Sequence, residues 1–534
     1  MARQRTPLTV QGFRGMRFSR WSGQADPGLA YFAYNAYVDS AGPGSAYRSR
    51  PGRYRISATT LGGGSTTGQL AYQFTKLDGT QTTVAICGGK FYTLNWGTGT
   101  WTETLSAANL SGASITLSTT ARCYAVTLND QMIVSDGTNI PWMWDGTAGG
   151  GLTSLTNCPV LYGQPTVHAT KLFGIKNSDR GAIVWSEEND PTLGYDTAPY
   201  SNYFVMSQTG SDPLFAVRGT NEGLYYWRQT SVGIIRGASN QDFQTAVTGD
   251  QVGRVGTRSP RGVLYYQNTF YFPDEFGRPW MFQPGGQMVP LWEQIALAFP
   301  MDTDDDAALQ SPGYDIGVTA TDILHMQTVP VSVLGGVLFG SSPSNQSGAD
   351  LHGGTYVGTS GLVEGLWFWG LGTSTAVGSM GAVLNSVTNL PEVLCVDDTG
   401  TTFSFGKRGV WQDQHASGTT QNASMTLIGP RQGASNSLEL LFDQVDVVVD
   451  ARLAATVLLG AEMLTSRSPI NTSVQTQDVA TTLTVQEKRV PVGLNRSGRW
   501  GQLYVEMNTA GNFPLALHGY TTHVYPVATG PKVS

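Results

Sequence analysis

From about residue 85 the chain repeats one unit: a short apolar run, a turn of Gly, Asp or Asn, and a second run that usually carries Trp. The unit reads KFYTLNWGTGTW, QMIVSDGTNIPWMWDG, KLFGIKNSDRGAIVWS, GLYYWRQTSVGIIRG and TFYFPDEFGRPWMFQPGG. Its first runs begin at Phe91, Met132, Leu172, Leu224 and Phe270, in steps of 41, 40, 52 and 46 residues. Two runs joined by a short turn form a β-hairpin. A hairpin that returns every ~40–50 residues has the spacing of propeller blades, small sheets that bury their faces by packing on one another around an axis. VLCVDDTGTTFSFG (393–406) is a late hairpin and GLWFWGLG (365–372) a further strand. The count is about six blades, with room for seven in the 124 residues between Phe270 and Leu394.

Composition agrees with an all-β chain. Gly makes up 66 of 534 residues and charged residues 13%, against a usual ~25% charged. Few charges, many glycines and 10% aromatics suit short strands joined by tight turns. PLWEQIALAFP (290–300) spaces Trp292, Ile295, Ala296 and Phe299 for one connecting helix. Past residue 430 the texture changes. Apolar residues alternate in FDQVDVVVD, TTLTVQ and QLYVEM, the pattern of half-buried antiparallel strands. The expected organisation is a basic N-terminal segment (1–56) that joins the propeller and a subunit interface. A β-propeller (57–425) with an irregular insertion around 300–390 follows, then an antiparallel β-sandwich-like domain (426–534).

The charge is unevenly placed. Residues 1–55 carry nine arginines and two acids, so the segment is +7 and the remainder −14. Such asymmetry points the segment at something acidic, either nucleic acid or the acidic surface of another subunit. Cys87, Cys123, Cys158 and Cys395 form no CxxC pair and sit in or beside apolar runs, so they read as free buried thiols. No secretory leader follows Arg3 and Arg5, and VDVVVDARLAATVLLGAEML is broken by Asp446, Asp450, Arg452 and Glu462. The chain therefore reads as soluble, without membrane insertion, and made in a reducing cytoplasm.

Motifs for chemistry are sparse. The sequence lacks GxxxxGK[ST], GxSxG and HExxH, and GGGST (62–66) lacks the lysine of a phosphate loop. His518 and His523 are five residues apart in a strand, which points them to opposite faces and away from a shared metal. DTDDD (302–306) offers carboxylates to a divalent cation but lacks the Gly and terminal Glu of an EF-hand, and reads as a solvated loop. EEND (187–190) sets Glu187, Glu188 and Asp190 beside Trp185, the ingredients of a glycan-cleaving or glycan-binding propeller. Carboxylates in a turn are more often structural, so the expectation is no enzyme and no cofactor. WMW (142–144), YYW (225–227) and WFW (367–369) could stack on sugars or bases, but strands that pack blade on blade need such side chains too.

The N-terminal layout carries a resemblance. VQGFRGMR (10–17), PGLAYFAYNAYVDSAG (27–42) and RSRPGRY (48–54) follow in an order similar to that of the tail nozzle proteins of short-tailed phages. These are also called tail tubular protein B or packaged-DNA stabilisation proteins. PTVHATKLFGIKNSDRGAIVWSEENDP (165–191), LYYWRQTSVGIIRG (224–237) and GRWGQLYVEMNTAGNFPLALHGYTTHVYPV (498–527) resemble that family's blades and closing strands. The resemblance implies a structural protein of the virion tail, made in the host bacterial cytoplasm. It implies a six-fold ring of identical subunits that meets an adaptor protein, carries tail fibres or spikes, and touches viral double-stranded DNA transiently in its lumen. The alternative is a glycan-binding or glycan-cleaving propeller that acts on host surface polysaccharide; a cellular scaffold that binds another protein is a third reading, and has no need of a basic N-terminal segment.

On this reading Arg3, Arg5, Arg14, Arg17, Arg48, Arg50, Arg53 and Arg55 serve a subunit interface or the channel. In RSRPGRYRI, Pro51 removes a donor and disfavours helix at Arg50, so the stretch is extended and turns at Gly52. Its arginines then point several ways. They are expected to pair with carboxylates of the same or a neighbouring subunit, with DNA contact in the lumen as the lesser alternative.

Overall fold

The computed structural model is all-β. It describes residues 6–16, 29–30, 32–39, 45–63, 67–206, 212–237, 250–298, 320–341, 351–370, 377–407, 410–411, 413–414, 420–421, 424–429, 432–433, 439–451, 456–465, 475–480, 487–498, 500–509 and 515–527.

Seven four-stranded antiparallel meanders make up the middle of the chain. The first runs through Gly68–Thr75, Gln81–Cys87, Lys90–Asn95 and Thr100–Leu105, and the second from Tyr124–Leu128 to Leu152–Ser154. The third, Leu161–His168 to Asp190–Gly194, gains an extra strand, Tyr203–Val205. The fourth spans Leu214–Gly219 to Asp250–Gly253, and the fifth Leu264–Tyr266 to Val289–Pro290. The sixth begins at Gln327–Val331 and ends at Val363–Gly370. The seventh has three strands of its own, Val377–Asn385, Leu390–Asp397 and Thr402–Phe405. Its fourth strand is Arg53–Arg55, from the far end of the sequence. A 3-10 helix, Leu291–Ala298, follows the fifth meander where the sequence predicts a connecting helix.

The repeated units are hairpins of these meanders, with one shift of register. Those at Met132, Leu172, Leu224 and Phe270 are second and third strands, whereas the one at Phe91 is the third and fourth. Gln81–Cys87 is the second strand of the first meander, and it lacks Trp, so the pattern passes over it.

The meanders pack through their aromatic strands. Trp142 and Trp144 of the second bury against Phe91 of the first, with ring centroids 6.0 and 4.8 Å away. Tyr225 and Trp227 of the fourth bury against Phe270 of the fifth at 4.7 and 5.1 Å. Such layers bury large side chains that no single small sheet could cover. The WMW and YYW rings are thus core rings, and Trp367 stacks on Tyr356 at 4.2 Å.

First strands of successive meanders are also hydrogen-bonded. Cys123 N donates to Gln69 O at 3.0 Å, Gly219 N to Thr166 Oγ1 at 3.0 Å, and Arg218 Nε to Val263 O at 3.0 Å. Gln164 Nε2 donates to Ala125 O at 3.4 Å, Thr328 Oγ1 to Gly262 O, and Gln327 Nε2 to Gly378 O at 3.3 Å. Ala71 N of the first meander then donates to Ser379 Oγ of the seventh at 3.0 Å. Gly381 permits that last approach, since a Cβ there would stand 2.2 Å from Ala71 O.

The C-terminal strands build two larger sheets. One orders Glu487–Gly498, Glu439–Ala451, Leu515–Val527, Ala46–Ser49 and Ala36–Asp39, with Thr6–Gln11 along Leu515–Val527. The other continues the sixth meander through Phe32–Tyr34 into Ser424–Ile428, Trp500–Thr509, Thr456–Thr465 and Gln475–Ala480. Val445, Val447 and Val449 share one buried face, as their alternation predicts. They join Val10, Phe13, Tyr47, Leu366, Val505 and Tyr520 in one core. The N-terminal strands are therefore woven into the C-terminal sheets.

Candidate functional site

The arginine stretch lies at the junction of three units. Asn35 sets the geometry, with φ of 52°, a left-handed conformation that Asn tolerates. Its N–H donates to Leu366 O at 2.8 Å and its carbonyl accepts Arg50 N at 2.8 Å. Its side-chain oxygen accepts Arg50 Nε at 2.9 Å. Arg50 is 1% exposed. Its Nη1 and Nη2 fork onto Asp413 Oδ1 and Oδ2 at 2.9 and 2.5 Å, and Nη1 also reaches Pro51 O at 3.0 Å. Asp413 Oδ1 accepts Arg53 N at 3.0 Å as well. One buried carboxylate thus serves a bidentate ion pair and a backbone donor, the strong class of hydrogen bond.

Arg53, also buried, sits 4.1 Å over the Phe403 ring and donates Nη2 to Gln414 O at 3.2 Å. Burial pulls its pKa down to about 10, and Asp413 opposes that shift. Arg55 N bonds Gln414 Oε1 at 2.9 Å, and its Nη2 caps Ala58 O at 2.6 Å. Arg48 pairs with Asp39 at 2.6 Å on the neighbouring strand. Between the arginines, the Tyr54 hydroxyl donates to Glu392 Oε2 at 2.5 Å. The stretch is a staple: its strand Ala46–Ser49 joins a C-terminal sheet, Arg50 ties Asn35 to Asp413, and Arg53–Arg55 completes the seventh meander. Arg14 is exposed, and Arg3, Arg5 and Arg17 lie outside the described residues, as does the acidic run 302–306.

The other candidates are dispersed. Trp185 is 1% exposed and stacks on Phe173 at 5.8 Å, inside the third meander's core. Glu187 Oε1 accepts Asn202 Nδ2 at 2.6 Å, and Asp190 Oδ1 closes its own turn on Thr192 N at 2.9 Å. Glu188 stands 3.8 Å from the Lys171 ammonium. These contacts make turn architecture of the EEND carboxylates. His523 faces Asp446 at 2.8 Å. The four cysteines are free and buried, and burial lifts the Cys123 thiol far above its ordinary value. Among the described residues no cluster of His, Cys, Asp and Glu has the makings of a metal site, and no helix is long and apolar enough to cross a membrane.

Asp413, Gln414 and Glu392 were not singled out in the sequence. Each lies more than 300 residues from its arginine or tyrosine partner, and a single polar residue in a short strand carries no motif. Glu364 was missed for the same reason. It is 5% exposed, accepts Val38 N at 3.0 Å, and burial raises its pKa to about 8.

No family model and no curated protein matches this chain. Among solved structures it is similar to the extracellular domain of the two component system protein BT4673 from B. thetaiotaomicron, at 7% identity and a TM-score of 0.38 over 74% of this chain and 43% of that one. It is also similar to PorZ, a surface component of the type-IX secretion system of Porphyromonas gingivalis, at 9% identity and a TM-score of 0.38 over 71% and 43%. The computationally designed Ika8 protein gives 9% and 0.33 over 65% and 98%. The matched part spans less than half the length of the first two chains.

Proposed function

We propose that the seven meanders are the blades of a β-propeller, and that the protein is a structural component of the tail nozzle of a short-tailed phage. The observation that carries the functional reading is the N-terminal layout. VQGFRGMR, PGLAYFAYNAYVDSAG and RSRPGRY resemble the nozzle family. The described parts of these stretches supply the strands and arginines that tie the seventh meander to the C-terminal sheets. The sheet-to-sheet hydrogen bonds, including Ala71 to Ser379, support closure of the ring. Completion of the seventh meander by Arg53–Arg55 supports it too, because it latches the two ends of the propeller together.

On this reading the subunit acts through its shape. Six copies form a ring by a heterologous contact that closes on itself. The ring meets the adaptor, carries fibres or spikes, and conducts DNA with only transient contact. The net charge of −7 suits a conduit that does not grip DNA, since each neutralised phosphate would add affinity and retard ejection. Electron microscopy of the purified protein, with antibody labelling of virions, tests the reading. Six-fold rings and label at the tail tip are expected. A monomer that never joins a tail refutes it.

A further inference from the structure

We propose that the first strands of the meanders enclose a binding site for a small oxyanion of the phosphate class, held by Arg218, Arg261 and the Tyr124 hydroxyl, with Arg122 at its edge. Arg261, just before the fifth meander, reaches across to three others. Its Nη2 donates to Gln69 O and Cys123 O and its Nη1 to Gly378 O at 3.3 Å. Its guanidinium lies 5.0 Å from the Tyr124 ring centroid. Arg218 donates Nε to Val263 O at 3.0 Å, Nη1 to Val217 O at 2.8 Å and Nη2 to Gln164 Oε1 at 2.7 Å. Arg122 Nη1 bonds Gly68 O at 2.5 Å and Asp398 Oδ1 at 3.2 Å. Arg218 is tied to the Tyr124 strand through Gln164, whose Nε2 donates to Ala125 O at 3.4 Å, and Arg122 precedes Tyr124 by two residues.

Two features point to a ligand. The first is uncompensated charge. Among the described residues no carboxylate pairs with Arg218 or Arg261, and Arg122 beside Arg261 adds repulsion. Enclosed cations without a counter-charge are costly, and carbonyl dipoles offset part of that cost. The second is unused donor capacity. A guanidinium carries five N–H donors. The bonds above leave Arg261 its Nε–H and one Nη1–H, and leave Arg218 one N–H on each Nη. The Tyr124 hydroxyl bonds no described residue, and it is not among the polar atoms sealed from solvent. Arg218, Arg261 and Tyr124 are each half-buried and keep some accessible surface, so a ligand can reach them. Planar forks and a phenolic O–H match a tetrahedral oxyanion.

The proposal rests on the packing of these strands, so a chain that never enters a phage tail would leave it standing. The test uses the full-length protein in inorganic phosphate and in chloride at matched ionic strength. Phosphate is expected to raise the melting temperature with the concentration dependence of one site, and calorimetry to give the affinity. Tyr124→Phe should melt like the wild type in chloride yet bind phosphate about tenfold more weakly, the effect of one hydrogen bond to a charged group. Arg218→Gln should weaken binding at least as much. If Arg218→Gln does not fold, Tyr124→Phe decides. Absence of a phosphate-specific shift overturns the proposal, and so does unchanged affinity in Tyr124→Phe. Binding of a 5′-phosphorylated oligonucleotide without binding of free phosphate overturns the enclosed site.

Discussion

Arg50→Ala is expected to be among the most damaging single substitutions at the junction. Arg50 and Asp413 are 1% and 5% exposed, so the lost cation leaves a buried carboxylate without its bidentate partner. Breaking a buried ion pair from one side costs about 3–5 kcal/mol. With a urea slope of ~2–3 kcal/mol per molar, the unfolding midpoint should fall by roughly 1–2 M. The double variant Arg50→Met with Asp413→Leu removes both charges. It still orphans Arg53 N and the Asn35 side chain, each worth about 1–3 kcal/mol if unsatisfied. The double should therefore recover part of the loss, about 1–2 kcal/mol, and remain below wild type. Urea titration followed by tryptophan fluorescence and by far-ultraviolet dichroism reads both variants. A shift under about 0.3 M for Arg50→Ala, or a double as unstable as the single, would refute the staple as an energetic unit. Charge reversal at Arg50 and Arg53 should then disturb the subunit itself before any ring contact is tested.

Four further outcomes are expected. Glu364 has a folded pKa of about 8 against a usual 4.5, so its own contribution to stability is full below about pH 4.5 and is lost as pH rises to 8; Glu364→Gln should flatten that part of the decline in pH-dependent thermal melts. Trp227→Ala empties a fully buried site among Phe270, Phe272 and Phe282 and should cost about 3–5 kcal/mol by chemical denaturation. Gly381→Ala sets a Cβ 2.2 Å from Ala71 O and should lower the melting temperature by several degrees, on the order of 1–3 kcal/mol of overpacking. Gly112→Ala, open on every side, should leave the melting temperature unchanged or slightly raised.

What the sequence determined is local. A turn residue, an apolar run and the alternation of Val445, Val447 and Val449 act within a few residues, so hairpins, strands and buried faces can be read from them. The same locality explains the slip in the first meander, where Gln81–Cys87 pairs on both sides without the Trp that marks the other units. It also explains why the arginines of RSRPGRYRI were legible as an extended, diverging run while their partners were not. Tertiary structure alone decided that Arg53–Arg55 completes a sheet begun at Val377, and that Asp413 receives Arg50. It alone brought Arg218 and Arg261 to the strand of Tyr124. Strand pairing and ion pairing depend on which chain ends meet in space, and across 300 residues no periodicity carries that information. A run of charge therefore names a need for partners, and the fold chooses them.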